Sequence, residues 1–491
     1  MIRQLIDEGV RVFRINFSHG TFEDFERMRR NVREAAKLTD RYIGVLGDLS
    51  GPKLRVGKVV DGGVDLTEGG RVRFVGDAHE TIAPRTDEPV VFGVNRSDFL
   101  NDVQAGHRVY LDDGNVRLEC LEAVSSSEPE LLCEVKVGGR ITSAKGINLP
   151  DTHLSLPSLT EWDEQCVEFA VKAGFDLLAL SFVRRPEDVR ELKDRLRELG
   201  ARPKRPIKSE TKDGNYFSTF GSEFRAFIPV VSKIEKPQAM ECLGEILEES
   251  DVIMVARGDL GVEMDVAEVP ISQKKILRAC HHHGKPTIVA TQMLQSMVDA
   301  PVPTRAEATD VANAIFDGTD CVMLSGETAV GKYPVETVRT MRRIACITNE
   351  YIYEEKRTFA QPKAASESRY RTAALAHGVK VMVNDLGAEL IVTWSQLGGG
   401  ASYLAQNKLP VPILAFSSNA DALRRMSVLY GVVPRYMDTP ADSVEFVKAV
   451  DRIILDNDWG AKGDPIVMAM GEPYGQAGLT NKIRVHYVGE I

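Results

Sequence analysis

Charged side chains follow a series of short, apolar, β-rich runs at the points where those runs end. Lys233 and Glu235 close the run 228–235, and Asp259 follows the next run, 252–257. Residues two apart on a strand point to the same side, so the side chains of Lys233 and Glu235 are expected to lie together. Two carboxylates from neighbouring strands suit Mg²⁺, which fills its remaining coordination positions with water and substrate oxygens. A purely structural ion pair at the end of the sheet is the alternative on spacing alone.

Other strand ends add cations, carboxylates and hydroxyls to this group. They carry Arg14, Asn16, Ser18, Asp48, Arg257, Thr291, Ser325 and Glu327. Arg14 and Lys233 would place two cations near the metal, an arrangement that suits a small multiply charged anion undergoing phosphoryl transfer. Residues 258–261, Gly-Asp-Leu-Gly, could expose backbone amides to a carboxylate or phosphate at a helix start. The chain has no G-x-x-x-x-G-K-[ST] motif, so a kinase activity would not be of the P-loop class.

The elements that must position these residues alternate between strand and helix, which indicates parallel βαβ units. The predicted strands are 10–16, 43–48, 176–182, 228–235, 252–257, 287–291 and 321–325. Three intervening helices begin with capping boxes at Thr21, Thr160 and Thr304. Residues 56–147 instead contain short alternating runs separated by Gly, Asp and Asn, which predicts an inserted all-β domain.

These patterns predict an α/β protein built on a (β/α)₈ barrel. Residues 1–55 and 148–347 together match the ~250 residues of such a barrel, with 56–147 as an inserted β-barrel-like lid. Residues 348–491 are predicted to form a C-terminal α/β domain with strands at 390–394, 413–416, 466–468 and 483–487.

Only seven barrel strands are predicted, because residues 1–8 are typical of the helix that precedes the run 10–16. Either the start codon was placed too late, or the barrel closes with a segment that the pattern does not identify. Residues 201–226 form a polar stretch that is predicted to be a surface loop.

Composition limits the partners and the compartment. The 491 residues include 61 Lys and Arg against 71 Asp and Glu, a formal charge of −10, which argues against nucleic-acid or anionic-membrane partners. The seven cysteines form no C-x-x-C pair and favour reduced thiols in a cytoplasmic protein. No stretch approaches the ~18 consecutive apolar residues of a membrane span.

Longer motifs in the chain closely resemble the pyruvate kinase family. They lie at 14–20 (Arg-Ile-Asn-Phe-Ser-His-Gly), 47–55 (Gly-Asp-Leu-Ser-Gly-Pro-Lys-Leu-Arg), 145–150, 232–235, 256–263, 290–294, 303–307 and 323–328. The resemblance covers the barrel and the insertion, and extends more weakly through the C-terminal domain. It implies phosphoryl transfer from phosphoenolpyruvate to ADP, giving pyruvate and ATP with Mg²⁺ or Mn²⁺, in a homo-oligomer that by family habit is a tetramer.

The resemblance also implies roles for the residues that match its motifs. Lys233 would neutralise the phosphoryl group in flight and the enolate oxygen, and Arg14 would hold the substrate phosphate. Glu235 and Asp259 would bind the divalent metal, and the amides of Gly258 and Asp259 would hold the substrate carboxylate.

Further matches concern proton transfer and the nucleotide. Thr291 would serve as a proton-relay hydroxyl together with Ser325 and water, because a hydroxyl alone is a poor acid. The residues implied to contact the nucleotide are Arg55, Lys145, Asp113 and His19. Asp113 and Lys145 lie on the insertion and resemble residues that the family's lid brings over the site.

Three departures from the family pattern affect function. The family's first-strand signature is absent, which affects nucleotide binding, and residues 395–401 lack the arginine and the hydroxyls that would hold an effector phosphate. Asn16, Ser18 and Asp48 match K⁺ ligands, but this chain carries Lys53 where K⁺-dependent members have Glu. The ammonium of Lys53 could replace K⁺, so a K⁺ requirement is not expected; a surface ion pair for Lys53 is the alternative.

Two other hypotheses remain open from the residues. One is a Mg²⁺-dependent lyase of pyruvate-type acids, against which Arg55 and the insertion argue because they favour a nucleotide partner. The other is a catalytically impaired barrel that acts as a binding or regulatory subunit.

Overall fold

A computed structural model of the chain describes residues 1–76, 88–126, 128–202, 208–210, 216–218, 227–355, 359, 362, 371–409, 411–475 and 478–491. No helix in these ranges is long and apolar enough to span a membrane.

Seven parallel strands form one sheet in the order in which they occur along the chain. They are Val12–Asn16, Gly44–Asp48, Leu177–Leu180, Val230–Ile234, Val252–Ala256, Thr287–Ala290 and Cys321–Val322. The inner strands are buried throughout, as expected of a parallel sheet covered on both faces. Within the described residues, no ladder joins the first strand to the last. The seven strands predicted from the sequence are all present in this sheet.

Helices surround this sheet, and their starts follow local sequence signals. They are Ile2–Asp7, Phe22–Lys37, Glu161–Ala173, Pro186–Glu198, Gln238–Glu241, Leu243–Glu249, Arg257–Glu263, Val269–His283, Arg305–Phe316, Gly326–Ala329 and Pro334–Glu354. The predicted capping boxes at Thr21, Thr160 and Thr304 are all formed, each hydroxyl accepting the backbone amide three residues on. Short 3₁₀ helices occur at Val60–Gly62, Asp98–Asn101 and Gln295–Val298.

The described part of the insertion, called the lid domain below, consists of β-strands and two short 3₁₀ helices, and its sheet extends to Asn148. Its main sheet has the spatial order Ile147–Asn148, Arg108–Leu111, Val116–Val124, Glu130–Val137, Arg71–Val75, Val90–Gly93. Val64–Leu66 pairs separately with Gly139–Ile141. The apolar side chains of these strands form their own core, so the lid domain packs as a unit separate from the barrel.

The C-terminal domain is a five-stranded sheet with helices Arg371–Leu386, Gly399–Ala405, Ala420–Met426 and Ser443–Asp456. Its strands, in spatial order, are Val432–Tyr436, Ile413–Ser417, Leu390–Trp394, Pro465–Met470 and Lys482–Tyr487, the last being antiparallel. Sequence analysis missed the strand Val432–Tyr436, which contains Pro434. Proline is tolerated there because this strand lies at the sheet edge.

Buried acids at the amino ends of barrel strands fix the C-terminal domain to the barrel. Asp176 accepts from Arg33 at 2.6 Å and from Arg424 of the C-terminal domain at 2.9 Å. Asp320 pairs with Lys408 at 2.6 Å. These contacts lie at the end of the barrel opposite the carboxyl ends of the strands, which stay available for a site.

The segment 201–226, predicted to be a surface loop, is only partly described. Lys208–Glu210 pairs with Tyr216–Ser218 in a short antiparallel ladder, so the segment is not wholly irregular. Most of the remaining segment lies outside the described residues.

Candidate active site

A buried ammonium forms the centre of the cluster at the carboxyl ends of the barrel strands. Lys233 Nζ lies 2.7 Å from Glu235 Oε1, 3.5 Å from Asp48 Oδ1 and 2.8 Å from Ser181 Oγ. Burial opposes the charged form of Lys233, but the negative charges of Asp48, Glu235 and Asp259 outweigh it, so the pKa of Lys233 is raised. The side chain therefore remains a cation at neutral pH.

The pKa of Glu235 is set by a different balance of burial and charge. Its Oε2 accepts the amide of Phe182 at 2.6 Å, and the residue is 1% exposed. Burial raises the pKa of Glu235 to about 7 despite the opposing effect of the Lys233 charge. Phe182 holds this amide in place with a φ of +55°, a left-handed conformation that is rare for a bulky residue and is maintained by its surroundings.

Asp48 binds a second cation. Its Oδ2 lies 2.5 Å from Arg14 Nε. Burial would raise the pKa of Asp48, but Lys233 and Arg14 lower it below the ordinary value. Its other oxygen, Oδ1, is buried with no hydrogen-bond partner in the described part of the chain. Asp48 thus bridges Arg14, on the neighbouring strand, and Lys233, two strands away in the sheet.

The residues predicted to form the monovalent-cation region lie close together. Lys53 Nζ donates to Ser18 Oγ at 3.3 Å, and the Ser18 amide donates to Asn16 Oδ1 at 3.1 Å. Burial lowers the pKa of Lys53, and Lys233 lowers it further, whereas Asp259 and Asp48 act in the opposite direction. No carboxylate among the described residues lies within ion-pair distance of Lys53, whose ammonium is held by the Ser18 hydroxyl.

Thr291 is held in a strained turn beside the start of the helix Arg257–Glu263. Its φ is +69°, and its carbonyl accepts from Arg257 at 2.7 Å while Arg257 also binds Asp310 at 2.6 Å. The Thr291 hydroxyl accepts the Gly258 amide at 2.8 Å. The Gly258 amide, predicted to hold a substrate carboxylate, thus donates to Thr291 in this structure and would have to be released before it could bind one.

Ser325 is positioned by a buried carboxylate. The amide of Ser325 donates to Glu327 Oε2 at 2.7 Å, and the amide of Leu294 donates to Glu327 Oε1 at 3.1 Å. Glu327 therefore links the turn that carries Ser325 to the segment that follows Thr291.

The four residues matched to the nucleotide lie around the rim. Lys145 pairs with Asp112 at 2.5 Å rather than with Asp113, and Arg55 donates to the Ala144 carbonyl at 2.7 Å. His19 is exposed. In the described residues, no hydrogen bond or ion pair joins Arg55, Lys145, Asp113 or His19 to Lys233.

Glu235 and Asp259 offer two carboxylates, and Mg²⁺ typically takes one or two carboxylate ligands from a protein. The described residues contain no group of three or more His, Cys, Asp or Glu side chains arranged for a metal. Glu235 is buried and needs positive charge, whereas Asp259 is exposed. This donor set suits Mg²⁺ or Mn²⁺, which accept oxygen ligands and retain water.

Sequence analysis missed Ser181 and the Phe182 amide, which hold Lys233 and Glu235. Both residues end the third predicted strand, 176–182, whose end was not included among the candidates. Inspection of that strand end would have found Ser181 by its hydroxyl. The Phe182 amide has no signal in the sequence, because its orientation depends on a backbone angle.

Comparisons with known proteins identify the family of this chain. The family model described as pyruvate kinase, barrel domain, matches residues 1–216 and 211–338, and that described as pyruvate kinase, alpha/beta domain, matches 373–486. The chain is 36% identical to a pyruvate kinase of Mycobacterium tuberculosis over 494 residues, covering 100% of this chain and 95% of the relative. A pyruvate kinase of Corynebacterium glutamicum is 36% identical (100% and 94% covered), and one of Bacillus licheniformis is 37% identical (100% and 78%). These matches confirm the predicted fold class, and the chain belongs to the pyruvate kinase family.

Proposed function

We propose that this chain transfers the phosphoryl group of phosphoenolpyruvate to ADP, yielding pyruvate and ATP, at the cluster around Lys233. The observation that carries the proposal is the buried ammonium of Lys233, fixed by Glu235, Asp48 and Ser181. A preorganised cation stabilises negative charge that moves during the reaction without reorganising at that moment. Arg14, held by Asp48, adds a guanidinium suited to a phosphate.

Glu235 and Asp259 would hold Mg²⁺ or Mn²⁺, which supplies Lewis-acid stabilisation of charge on the phosphoryl and enolate oxygens. Glu235 is oriented for this role by the Phe182 amide and by Lys233. Asp259 lies in the first turn of the helix Arg257–Glu263, next to the barrel strand that follows the one leading to Glu235.

Protonation of the enolate requires a donor near Thr291 and Ser325. The Thr291 hydroxyl donates to the Ala290 carbonyl at 2.7 Å and accepts from Gly258. It must therefore rotate away from Ala290 before it can pass a proton, and its low acidity favours a water chain that it shares with Ser325. In the same movement, the Gly258 amide would become free for the substrate carboxylate.

The nucleotide would bind between the barrel rim and the lid domain, with Arg55, Lys145, Asp113 and His19 as its contacts. Lys145 must leave Asp112 to reach a phosphate. The charge of Lys53 beside Ser18 would take the place of K⁺, since two cations in one pocket repel each other. We further propose a glycolytic, cytoplasmic homo-oligomer, a tetramer by family habit, without a nucleic-acid partner.

A coupled assay for pyruvate, with ATP measured separately, tests the proposal. We expect pyruvate and ATP in equal amounts, only with ADP present, and loss of both after chelation with recovery on adding Mg²⁺ or Mn²⁺. Pyruvate released from oxaloacetate without nucleotide, with none formed from phosphoenolpyruvate, would favour the lyase. No turnover of a folded protein would favour the impaired barrel, and full activity after chelation would refute the metal site.

A further inference from the structure

A buried carboxylate links the lid domain to both elements that carry the proposed metal ligands. Glu263, the last residue of the helix Arg257–Glu263, is 2% exposed. Its Oε1 accepts from Asn148 Nδ2 at 2.8 Å and lies 2.5 Å from Lys236 Nζ. One oxygen atom thus joins a residue of the lid sheet to a residue of the barrel.

Asn148 is part of the lid sheet, where it pairs with Tyr110. The lid also approaches the same helix at a second point, because a Cβ on Gly114 would lie 3.8 Å from Val262 Cγ1. The lid domain therefore rests on the carboxyl end of the helix whose first turn carries Asp259.

Lys236 lies on the other side of the carboxylate. It directly follows Glu235, and its Nζ lies 5.9 Å from the centre of the Phe182 ring, a distance at which the ring attracts a cation. The amide of Phe182 holds Glu235. Because Glu263 Oε2 is buried with no hydrogen-bond partner among the described residues, the charge of Glu263 depends on Lys236, and the two residues hold each other in place.

We infer that Glu263 is a positioning residue that couples the position of the lid domain to the orientation of Glu235 and Asp259. The inference rests on the proposed function, because Glu263 would align the nucleotide bound to the lid domain with the metal ligands on the barrel. A misplacement of about 1 Å between reacting groups can cost ~10²-fold in rate. The Asn148–Glu263–Lys236 connection has the contacts needed to limit such a misplacement.

Asn148→Ala and Glu263→Gln, singly and together, test the inference. Asn148→Ala removes only the lid side, so we expect kcat to fall ~10-fold or more while the Kd for Mn²⁺, measured by electron paramagnetic resonance without substrate, changes less than twofold. Glu263→Gln should lower kcat and also weaken Mn²⁺ several-fold, because Lys236 loses its partner. The double variant should be no slower than Glu263→Gln alone, since both changes break one connection.

Ser155→Ala is the matched control. Ser155 Oγ donates to Asp102 of the lid domain at 3.0 Å, a lid contact that touches neither metal-binding element, and its kcat should stay within twofold of wild type. Equal losses in Asn148→Ala and Ser155→Ala, or additive losses in the double variant, would overturn the inference.

Hydrogen exchange separates this inference from the proposed function. Asn148→Ala should speed amide exchange at 108–111 and 257–263 and leave 390–394 unchanged, whether or not the enzyme turns over. Faster exchange confined to 108–111 would overturn the coupling even if phosphoryl transfer is intact. An inactive wild-type protein would refute the proposed function, but hydrogen exchange in Asn148→Ala would still test the coupling. The exchange measurement does not need Glu263→Gln, so it can be made even if that variant does not fold.

Discussion

Replacing Lys233 with methionine removes the central positive charge of the cluster while keeping a side chain of similar length. In the present structure the carboxylates of Asp48, Glu235 and Asp259 act on Lys233, and Arg14 and Lys53 are the neighbouring cations. The variant leaves three carboxylates with two cations. A multiply charged anionic substrate would then meet a site with excess negative charge.

The expected loss follows from where Lys233 acts. Removing one preorganised donor that stabilises a developing charge costs ~10²–10³-fold in kcat, and the KM for phosphoenolpyruvate should rise far less, since the charge matters most in the transition state. Lys233 also compensates buried Glu235, and leaving one partner of a buried pair unpaired costs about 3–5 kcal/mol of folding stability. The variant should therefore melt at a lower temperature as well.

The measurement is a steady-state pyruvate assay at 25 °C with saturating Mg²⁺ and ADP, corrected for the folded fraction by circular dichroism. Lys274→Met is the control: Lys274 pairs with Asp317 at 2.6 Å on an outer helix with its side chain 40% exposed, and such pairs contribute about 0–1 kcal/mol. Its kcat should be unchanged. An unaltered kcat with a raised KM in Lys233→Met would instead make Lys233 a ground-state binding residue.

Three further predictions concern other parts of the molecule. Activity should be nearly equal in K⁺ and in tetramethylammonium at the same ionic strength, and Lys53→Glu should create a K⁺ requirement; a wild-type enzyme that loses most activity without K⁺ would contradict this. Fructose bisphosphate and sugar monophosphates should activate weakly or not at all, because residues 395–402 offer no charged donor for a phosphate; strong activation that mutation of this loop abolishes would show the opposite. Burial would raise the pKa of Asp251, but hydrogen bonds from Arg202 at 2.6 and 2.8 Å lower it to about 2. The ionised Asp251 therefore contributes about 2 kcal/mol of folding stability above its unfolded pKa, and this contribution should be lost as the pH falls from about 4 to about 2. Asp251→Asn should remove that dependence in acid melts, and an unchanged profile would refute the assignment.

Local signals in the sequence predicted the barrel well. The capping boxes at Thr21, Thr160 and Thr304 depend on residues three apart, so their hydrogen bonds can be predicted without tertiary information. The alternation of apolar runs with helices identified all seven strands of the barrel sheet. In the C-terminal domain Val432–Tyr436 was missed, because the tolerance for Pro434 depends on the strand lying at an edge, which only the assembled sheet reveals.

The site was less predictable wherever its contacts cross between strands. The rule that polar residues gather at the carboxyl ends of strands identified Lys233, Glu235, Asp48 and Arg14 as neighbours. It could not show that the Thr291 hydroxyl occupies the Gly258 amide, because that contact spans 33 positions and requires a positive φ at Thr291. The links made by Glu263 are similar, since Asn148 lies 115 positions away.

The charge balance of the cluster explains why a divalent cation belongs in the proposed reaction. The whole chain carries a formal charge of −10, so an anionic substrate must be attracted by a local group of cations. Arg14, Lys53 and Lys233 are that group, but the carboxylates of Asp48, Glu235 and Asp259 offset them one for one. Asp48 and Glu235 keep Arg14 and Lys233 in place before the substrate arrives. With equal numbers of positive and negative side chains, the cluster itself has little net attraction for an anion. A divalent cation on Glu235 and Asp259 would restore a net positive charge, and it would do so at the oxygens where negative charge moves. The proposed dependence on metal would thus be a consequence of how the cations of the cluster are stabilised.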